Sequence, residues 1–276
     1  MALIPAGESR AICSASRCIK SGEGDFARRW TLTIYAQIGY QLQVPSIKRH
    51  NIVHEEVDIM KIKWNGHASF TITSDKGIVI VTDPYDPSGY GGVLKYDPVT
   101  DRADGALISH EHADHNYPDS LSGSPQVLKG SGEIKGIQVK AIQTYHDESG
   151  GSERGPNTVF AFTVDGVNIC FLGDLGHELT PEQIKAIGPV DVLLAPVGGG
   201  YTIDADQAVQ VVSSLKPKVV IPMHFKTEKC DLPIAGVEGF LEKMAKVKKL
   251  GVSEIEISSS NLPAEGPEVW VLNYAC

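Results

Sequence analysis

Gly105-Ala106-Leu107-Ile108-Ser109-His110-Glu111-His112-Ala113-Asp114-His115 reads as an apolar strand that runs straight into three imidazoles and a carboxylate. Loops at strand ends are where folds hold their sites. His110 and His112 are two residues apart, so in extended backbone their rings point the same way. Asp114 and His115 fall on the following turn and face a second point a little further on. Imidazole and carboxylate both bind Zn, Fe or Mn. Four such groups within residues 110–115, beside a buried strand, exceed what ordinary surface polarity supplies.

The same grammar recurs downstream. His146 follows Ile142-Gln143-Thr144-Tyr145, Asp174 follows Cys170-Phe171-Leu172-Gly173, and His224 follows Val220-Ile221-Pro222-Met223. Each is an apolar strand with one ligand-type residue where the chain leaves the sheet. With the cluster at 110–115 they make five His and two Asp. That is the inventory of a two-metal site, in which a carboxylate bridges two ions.

Around these residues the chain alternates in texture. Short β-type runs stand at Lys61–Trp64, Ser69–Thr73, Ile78–Thr82, Gly105–Ser109, Gln126–Leu128, Ile137–Gln143, Thr158–Val164 and Val167–Leu172, most of them punctuated by Gly, Pro, Asp or Asn. Beyond residue 180 helices and strands alternate. Thr180-Pro181-Glu182 opens a helix with Thr as N-cap and Pro at the first position. A strand is expected at Asp191–Ala195, a helix at Asp204–Leu215, a strand at Lys218–Ile221, an amphipathic helix at Val237–Leu250, and strands at Ile255–Ser258 and Val269–Leu272. A hairpin-rich first half and a βα-rich second half predict one α/β domain built in layers.

Composition bounds the function. The 276 residues are 42% hydrophobic and 21% charged, with a formal net charge of −9. No apolar run is long enough to span a bilayer, and an acidic chain does not offer the clustered Lys and Arg that nucleic-acid phosphates need. The five cysteines, at 13, 18, 170, 230 and 276, form no CxxC pair, which predicts neither a disulfide framework nor a Cys-rich zinc site and fits a cytoplasmic setting. Residues 1–59 carry seven Lys/Arg against six Asp/Glu and lack sustained periodicity. They are expected to be a poorly ordered N-terminal extension, with 60–276 as the folded unit. Arg and Ser over 9–29 give that segment a slight likeness to an organellar transit peptide, which Glu8, Glu23 and Asp25 oppose.

The ordered set His110-x-His112-x-Asp114-His115, His146, Asp174, His224 resembles the metallo-β-lactamase fold superfamily. Over Met60–Cys276 the chain resembles the branch holding ascorbate-6-phosphate lactonase-like proteins and Zn-dependent hydrolases. That likeness is carried by Trp64-Asn65-Gly66-His67-Ala68-Ser69, Asp83-Pro84, Tyr145-His146-Asp147, Gly173-Asp174-Leu175-Gly176-His177, Pro196-Val197-Gly198-Gly199 and Ile221-Pro222-Met223-His224. The resemblance implies a four-layer αββα sandwich with two divalent metals, zinc first and manganese or iron as alternatives, at one edge between the sheets. It implies His110, His112 and His146 on one ion, Asp114, His115 and His224 on the other, and Asp174 bridging. A bridging hydroxide would be the nucleophile, with Asp114 orienting it or passing a proton to the leaving group. Asp83 would stand behind the ligands and hydrogen-bond an imidazole. His67 lies near the pocket by resemblance, and as a lone His beside a Gly it also reads as structural.

Asp147, Arg154, His177, Tyr201 and Lys226 lie in loops that follow or flank the ligands and are candidates for touching substrate. Arg154 and Lys226 suit a phosphate or carboxylate; each candidate also reads as an ordinary loop residue. The expected activity is hydrolysis of a small-molecule lactone, ester, amide or phosphoester, anionic substrates included. The alternatives are a phosphodiesterase or nuclease of the same fold, which the acidic charge disfavours, and a non-hydrolytic di-iron or metal-binding protein, which His112 disfavours because di-iron relatives carry a carboxylate there. No nucleic-acid or membrane partner is expected.

Overall fold

The computed structural model describes residues 58–276, so the extension expected over 1–59 lies, but for Asp58 and Ile59, outside the described residues. β1 (Met60–Gly66) and β2 (Ser69–Thr73) form a hairpin, and β3 (Val79–Thr82) pairs antiparallel with β2. β4 (Gly105–Leu107) and β5 (Gln126–Leu128) extend this sheet in parallel beside β3. The chain then crosses to a second sheet, where β6 (Gly132–Ile134), β7 (Ile137–Tyr145), β8 (Pro156–Val164) and β9 (Val167–Phe171) are antiparallel neighbours. Next come α1 (Pro181–Ile187), β10 (Val192–Pro196), α2 (Ala205–Leu215) and β11 (Val219–Met223), with β9, β10 and β11 mutually parallel. After α3 (Glu238–Leu241), β12 (Val247–Lys249) joins the second sheet, β13 (Glu254–Ile257) returns to pair with β1, and β14 (Glu268–Val271) inserts between β11 and β12. The strand orders are β13-β1-β2-β3-β4-β5 and β12-β14-β11-β10-β9-β8-β7-β6.

Side-chain alternation sets the layers. In β1, Met60, Ile62 and Trp64 are buried in the core between the sheets while Lys61 and Lys63 point the other way. Ile80 of β3 and Leu107 of β4 join that core, whereas Val81 and Ala106 face a smaller cluster with Tyr85, Leu94, Tyr96 and Val99. The outer layer over the first sheet is thus made by the connection between β3 and β4 together with Leu121, Cys230 and Ile234. β10 and β11 are buried along their whole length, as parallel strands covered on both faces must be. α2 supplies part of that cover through Ala208, Val211, Val212 and Leu215. The αββα sandwich that the resemblance implies is borne out as two sheets with few helices, and α1 and α2 start in capping boxes, Thr180 with Gln183 and Asp204 with Gln207.

One expected element is corrected. Val237–Leu250 is not a single helix: helical backbone ends at Leu241, and Val247–Lys249 pairs in parallel with Val269–Val271. Val237, Phe240, Leu241 and Met244 do recur with helical spacing, but the open edge of β14 offers backbone partners, and tertiary pairing overrides a modest helical preference. The edge strand β6 is not among the expected strands; Gly132-Glu133-Ile134 carries a single apolar side chain. Among the described residues no helix is long and apolar enough to cross a membrane.

The fold brings four strand exits together. The residues after β4 in the first sheet and after β7, β9 and β11 in the second all carry metal-competent side chains.

Candidate metal centre

Asp83 leaves β3 fully buried and acts as the pivot of the first-sheet half. Its Oδ1 accepts the Ser109 backbone N–H at 2.7 Å, and its Oδ2 accepts the Ser109 hydroxyl at 2.5 Å and the Nδ1–H of His115 at 2.8 Å. The Ser109 hydroxyl proton being committed to Asp83, Ser109 Oγ accepts from His110 Nδ1, 2.8 Å away. Both His110 and His115 therefore present Nε2 to the ligand cluster. Fixing the ring by its far nitrogen is how ligand imidazoles are generally oriented. Burial pushes the Asp83 carboxyl above its usual range, with the His115 and Ser109 donors pulling against it.

Two groups of ligand-type atoms result. One atom each from His110, His112 and His146 lie within 4.8 Å of one another, and so do atoms from His67, Asp114, His115 and His224. A third grouping, Asp83 with His110 and His115, satisfies the same distance, but both Asp83 oxygens are already occupied by Ser109 and His115. Asp174 Oδ2 stands between the first two groups, 3.1 Å from His115 Nε2, 3.2 Å from His146 Nε2, 3.2 Å from His224 Nε2 and 4.0 Å from His110 Nε2. The donor set fits divalent ions. Among the described residues, the buried side-chain atoms without a hydrogen-bond partner are His67 Nδ1, His110 Nε2, His115 Nε2, His146 Nδ1, Asp174 Oδ1 and His224 Nδ1, all of them in this cluster. Buried polar groups otherwise find partners nearly always.

Charge states follow from the crowding. Burial, helped by the cationic neighbour His115, pulls His110 down to about 2; burial with His224 pulls His67 down to about 4; burial with His146 lowers His112. These rings are neutral at physiological pH, the form that binds metal. His115 goes the other way. Burial disfavours its charge, yet the Asp174 and Asp114 carboxylates outweigh burial and raise it well above the usual range. For Asp174, burial is outweighed by His115 and His224, and for Asp114 by His115 and His67, so both carboxyls sit below theirs.

Backbone geometry at the site is unusual. Eight non-glycine residues among those described have positive φ, and His67 (49°), Asp83 (34°), Tyr90 (51°) and His224 (49°) are half of them. Left-handed backbone costs an L-residue roughly 1–2 kcal/mol, and such positions collect where a fold holds a site. The surroundings over-determine them: the His67 carbonyl accepts N–H bonds from both His224 and the Trp64 indole at 3.1 Å. Gly198 lies so close that a Cβ there would stand 2.3 Å from the His224 carbonyl oxygen.

A cavity of about 450 Å³ opens over the cluster, lined by His112, Asp114, His146, Asp174 and His224 together with Arg154 and Tyr201. His67 lies behind this wall, its Nε2 3.1 Å from Asp114 Oδ2. Asp147, His177 and Lys226 are placed elsewhere. Asp147 Oδ1 accepts the N–H groups of Ser149 and Gly151 and its Oδ2 those of Glu153 and Arg154, at 2.8–3.0 Å. Burial alone would raise this carboxyl; the four donors hold it down at about 2. Asp147 organises a loop and does not face the cavity. His177 accepts the Tyr145 N–H through Nε2 and donates from Nδ1 to the Glu178 carbonyl. Lys226 is exposed and donates to the Leu232 carbonyl. Sequence reasoning missed the rest of the wall, Tyr90, Val93, Asp231, Leu232 and Pro233. Only Tyr90 left a trace, as an aromatic ring bracketed by glycines in Ser88-Gly89-Tyr90-Gly91-Gly92.

Known proteins resemble this chain to different degrees. A family model described as the beta-lactamase superfamily domain matches residues 61–224. A UPF0173 metal-dependent hydrolase of Thermoplasma acidophilum is 31% identical over 193 residues, covering 61% of this chain and 84% of the relative. One from Pelotomaculum thermopropionicum is 30% identical over 198 residues, covering 61% and 85%. A solved structure from Thermotoga maritima, designated a Zn-dependent hydrolase of the metallo-beta-lactamase superfamily, superposes with a TM-score of 0.65 at 36% identity, covering 78% of this chain and 100% of that one. A metal-dependent hydrolase from Parabacteroides distasonis, at 20% identity and a TM-score of 0.54 over 79% and 94% of the chains, shares the fold.

Proposed function

The chain belongs to the metallo-β-lactamase superfamily and is a metal-dependent hydrolase, and from that premise we propose that it works with two divalent ions, zinc first and manganese or iron as alternatives, on a small-molecule lactone, ester, amide or phosphoester. One observation carries the reading: among the described residues, the buried side-chain polar atoms left without partners belong to a single His/Asp cluster. His110 Nε2 and Asp174 Oδ1 among them are atoms of the kind a divalent cation takes, and ligand-type atoms of His110, His112 and His146 gather within 4.8 Å of one another beside them. When bound, such a pair lowers the pKa of a coordinated water from 15.7 towards 7 and polarises the scissile group.

His110, His112 and His146 would hold one ion, Asp114, His115 and His224 the other, and Asp174 would touch both. The protein's own groups then do the rest. Asp83 and Ser109 keep Nε2 of His110 and His115 aimed inward. Asp114 spends Oδ2 on His67 and lines the cavity, so it is the carboxylate best situated to take a proton from the attacking water and return it to the leaving group.

The test is metal analysis of the metal-replete protein together with hydrolysis of an acyl-lactone, a phosphodiester, a phosphomonoester and a β-lactam. The expected result is two ions per chain and metal-dependent turnover in the panel, with Asp174→Ala losing the most metal. A stoichiometry near zero would sink the reading.

A further inference from the structure

Among the described residues lining the cavity, Arg154 is the one permanent cation, and its placement is too well built for a stray surface charge. We infer that Arg154 selects substrates bearing a terminal oxyanion, a carboxylate or a phosphate, separated by a short apolar body from the bond that is cut. This rests on the hydrolytic reading of the same cavity and names its substrate class.

Arg154 is anchored from both sides of the site. Its loop starts at the metal-ligand candidate His146 and is closed on itself: Asp147 gathers four backbone N–H groups including that of Arg154, Gly155 N–H reaches Gly151 O, and His146 N–H reaches Gly155 O. At its other end the guanidinium meets a different loop. Nη2 is 3.4 Å from the Gly200 carbonyl, and the group lies 5.7 Å from the centre of the Tyr201 ring. That second loop begins at Gly198, which packs against the backbone of His224. Arg154 therefore spans from the segment leaving one ligand cluster to the segment resting on the other, so its distance to both is set by the fold.

The guanidinium has donors to spare. It carries five N–H groups in a planar fork that fits a carboxylate or phosphate. Its nearest carboxylate, Glu153 Oε2 at 3.7 Å from Nη1, belongs to a side chain 59% exposed, and an ion pair so open to water contributes little. The cavity's other full charge beyond the ligand cluster, Asp231, is matched by Lys95 at 2.6 Å. Arg154 also lines an adjoining cavity with His110, His112 and Lys129, so its positive field extends past the His110/His112/His146 group. Val93, Leu232 and Pro233 give the wall its apolar part, suited to the body of the substrate.

The experiment compares hexanoate, adipate and 6-phosphonooxyhexanoate by isothermal titration against the metal-loaded wild type, Arg154→Met and Arg154→Lys. All three ligands offer a carboxylate to the metals; two of them add an anion at the far end. The wild type is expected to favour one or both dianions over hexanoate by about tenfold to hundredfold, the usual worth of a charged hydrogen bond. Whether adipate or the phosphate leads identifies the oxyanion. Arg154→Met should bring that preference to near one, and Arg154→Lys should retain part of it, because an ammonium keeps the charge and loses the fork. Circular dichroism melts confirm folding, since Asp147 bonds the backbone and not the guanidinium of residue 154. Equal binding of hexanoate and both dianions by the wild type, or a preference that survives in Arg154→Met, overturns the inference. Turnover of the corresponding 4-nitrophenyl esters is followed in parallel. An intact binding preference with no metal-dependent turnover counts against the hydrolytic reading and leaves the anion selection standing.

Discussion

Nε2 of His67 stands 3.1 Å from Oδ2 of Asp114, so the turn between β1 and β2 reaches into the ligand cluster from behind. A carboxylate only accepts, which places the proton of the neutral ring on Nε2 and leaves Nδ1 bare. His67→Ala should therefore weaken metal binding at the Asp114/His115/His224 group by about 10–100-fold, the scale for removing a partner that orients a ligand. His67→Gln, which keeps an N–H donor, should recover part of the loss. Metal titration of the two variants decides; equal affinities in wild type and His67→Ala would make His67 merely structural.

Asp114→Asn separates chemistry from metal holding. The amide keeps the size and one ligand oxygen and loses the negative charge. Turnover per bound metal should fall by roughly 10²–10⁴, the worth of a positioned acid–base group. If activity normalised to metal stays near wild type, the proton-transfer role assigned to Asp114 is wrong.

Asp83→Ala and Ser109→Ala form a graded pair. The first removes the acceptor that fixes His115 directly and His110 through Ser109, while the second releases only His110. Metal affinity should drop by about 10–100-fold in Asp83→Ala and by less in Ser109→Ala. The reverse order, measured by competition with a chelator, would refute the relay.

Stability of the metal-free protein should depend on pH with a maximum near 6.5, where a free histidine titrates. His67, at about 4, and His110, at about 2, resist protons in the fold that the unfolded chain accepts, so stability falls as pH drops below 6.5. His115 is raised, so its contribution is complete below 6.5 and is lost as pH climbs through its folded value. Thermal melts in chelator from pH 4.5 to 8.5 check both limbs. A melting temperature that rises steadily across that span would contradict the charge states assigned to the cluster.

Gly198→Ala should disturb the site through the backbone. The added Cβ would stand 2.3 Å from the His224 carbonyl oxygen and 3.0 Å from Phe225 Cα, neither of which can swing aside. Overpacking of this kind costs about 1–3 kcal/mol, or about 2–12 °C in a domain of this size. Unchanged melting and unchanged metal content would show that the two segments have room to separate.

Much of the site was legible because its information is local. The ligand candidates sit at or just beyond the end of an apolar strand, and strand exits are written in consecutive residues, as Leu172-Gly173-Asp174 and Pro222-Met223-His224 show. The capped helix starts at Thr180 and Asp204 are local too. What stayed hidden is set by contacts across the chain. Val247–Lys249 became a strand because β14, far along the sequence, offered an edge. The cavity wall takes Tyr90 and Val93 from one connection and Leu232 and Pro233 from another, with no motif linking them. Asp147 looked like a substrate contact from its place beside His146, but its four backbone donors come from the fold of its own loop, which composition does not announce.

Each ligand group draws on both sheets: His110 and His112 with His146 across the gap, Asp114 and His115 with His224. Apolar faces resist being pulled apart far better than they resist sliding, since a small slide changes little of the area hidden from water. A pair of ions seated at this edge would act as a rivet against that slide. Loading then does more than equip the protein for chemistry: it favours the assembled sandwich by mass action and couples the two halves mechanically, so that a disturbance of the β1–β2 turn is felt at the end of β11.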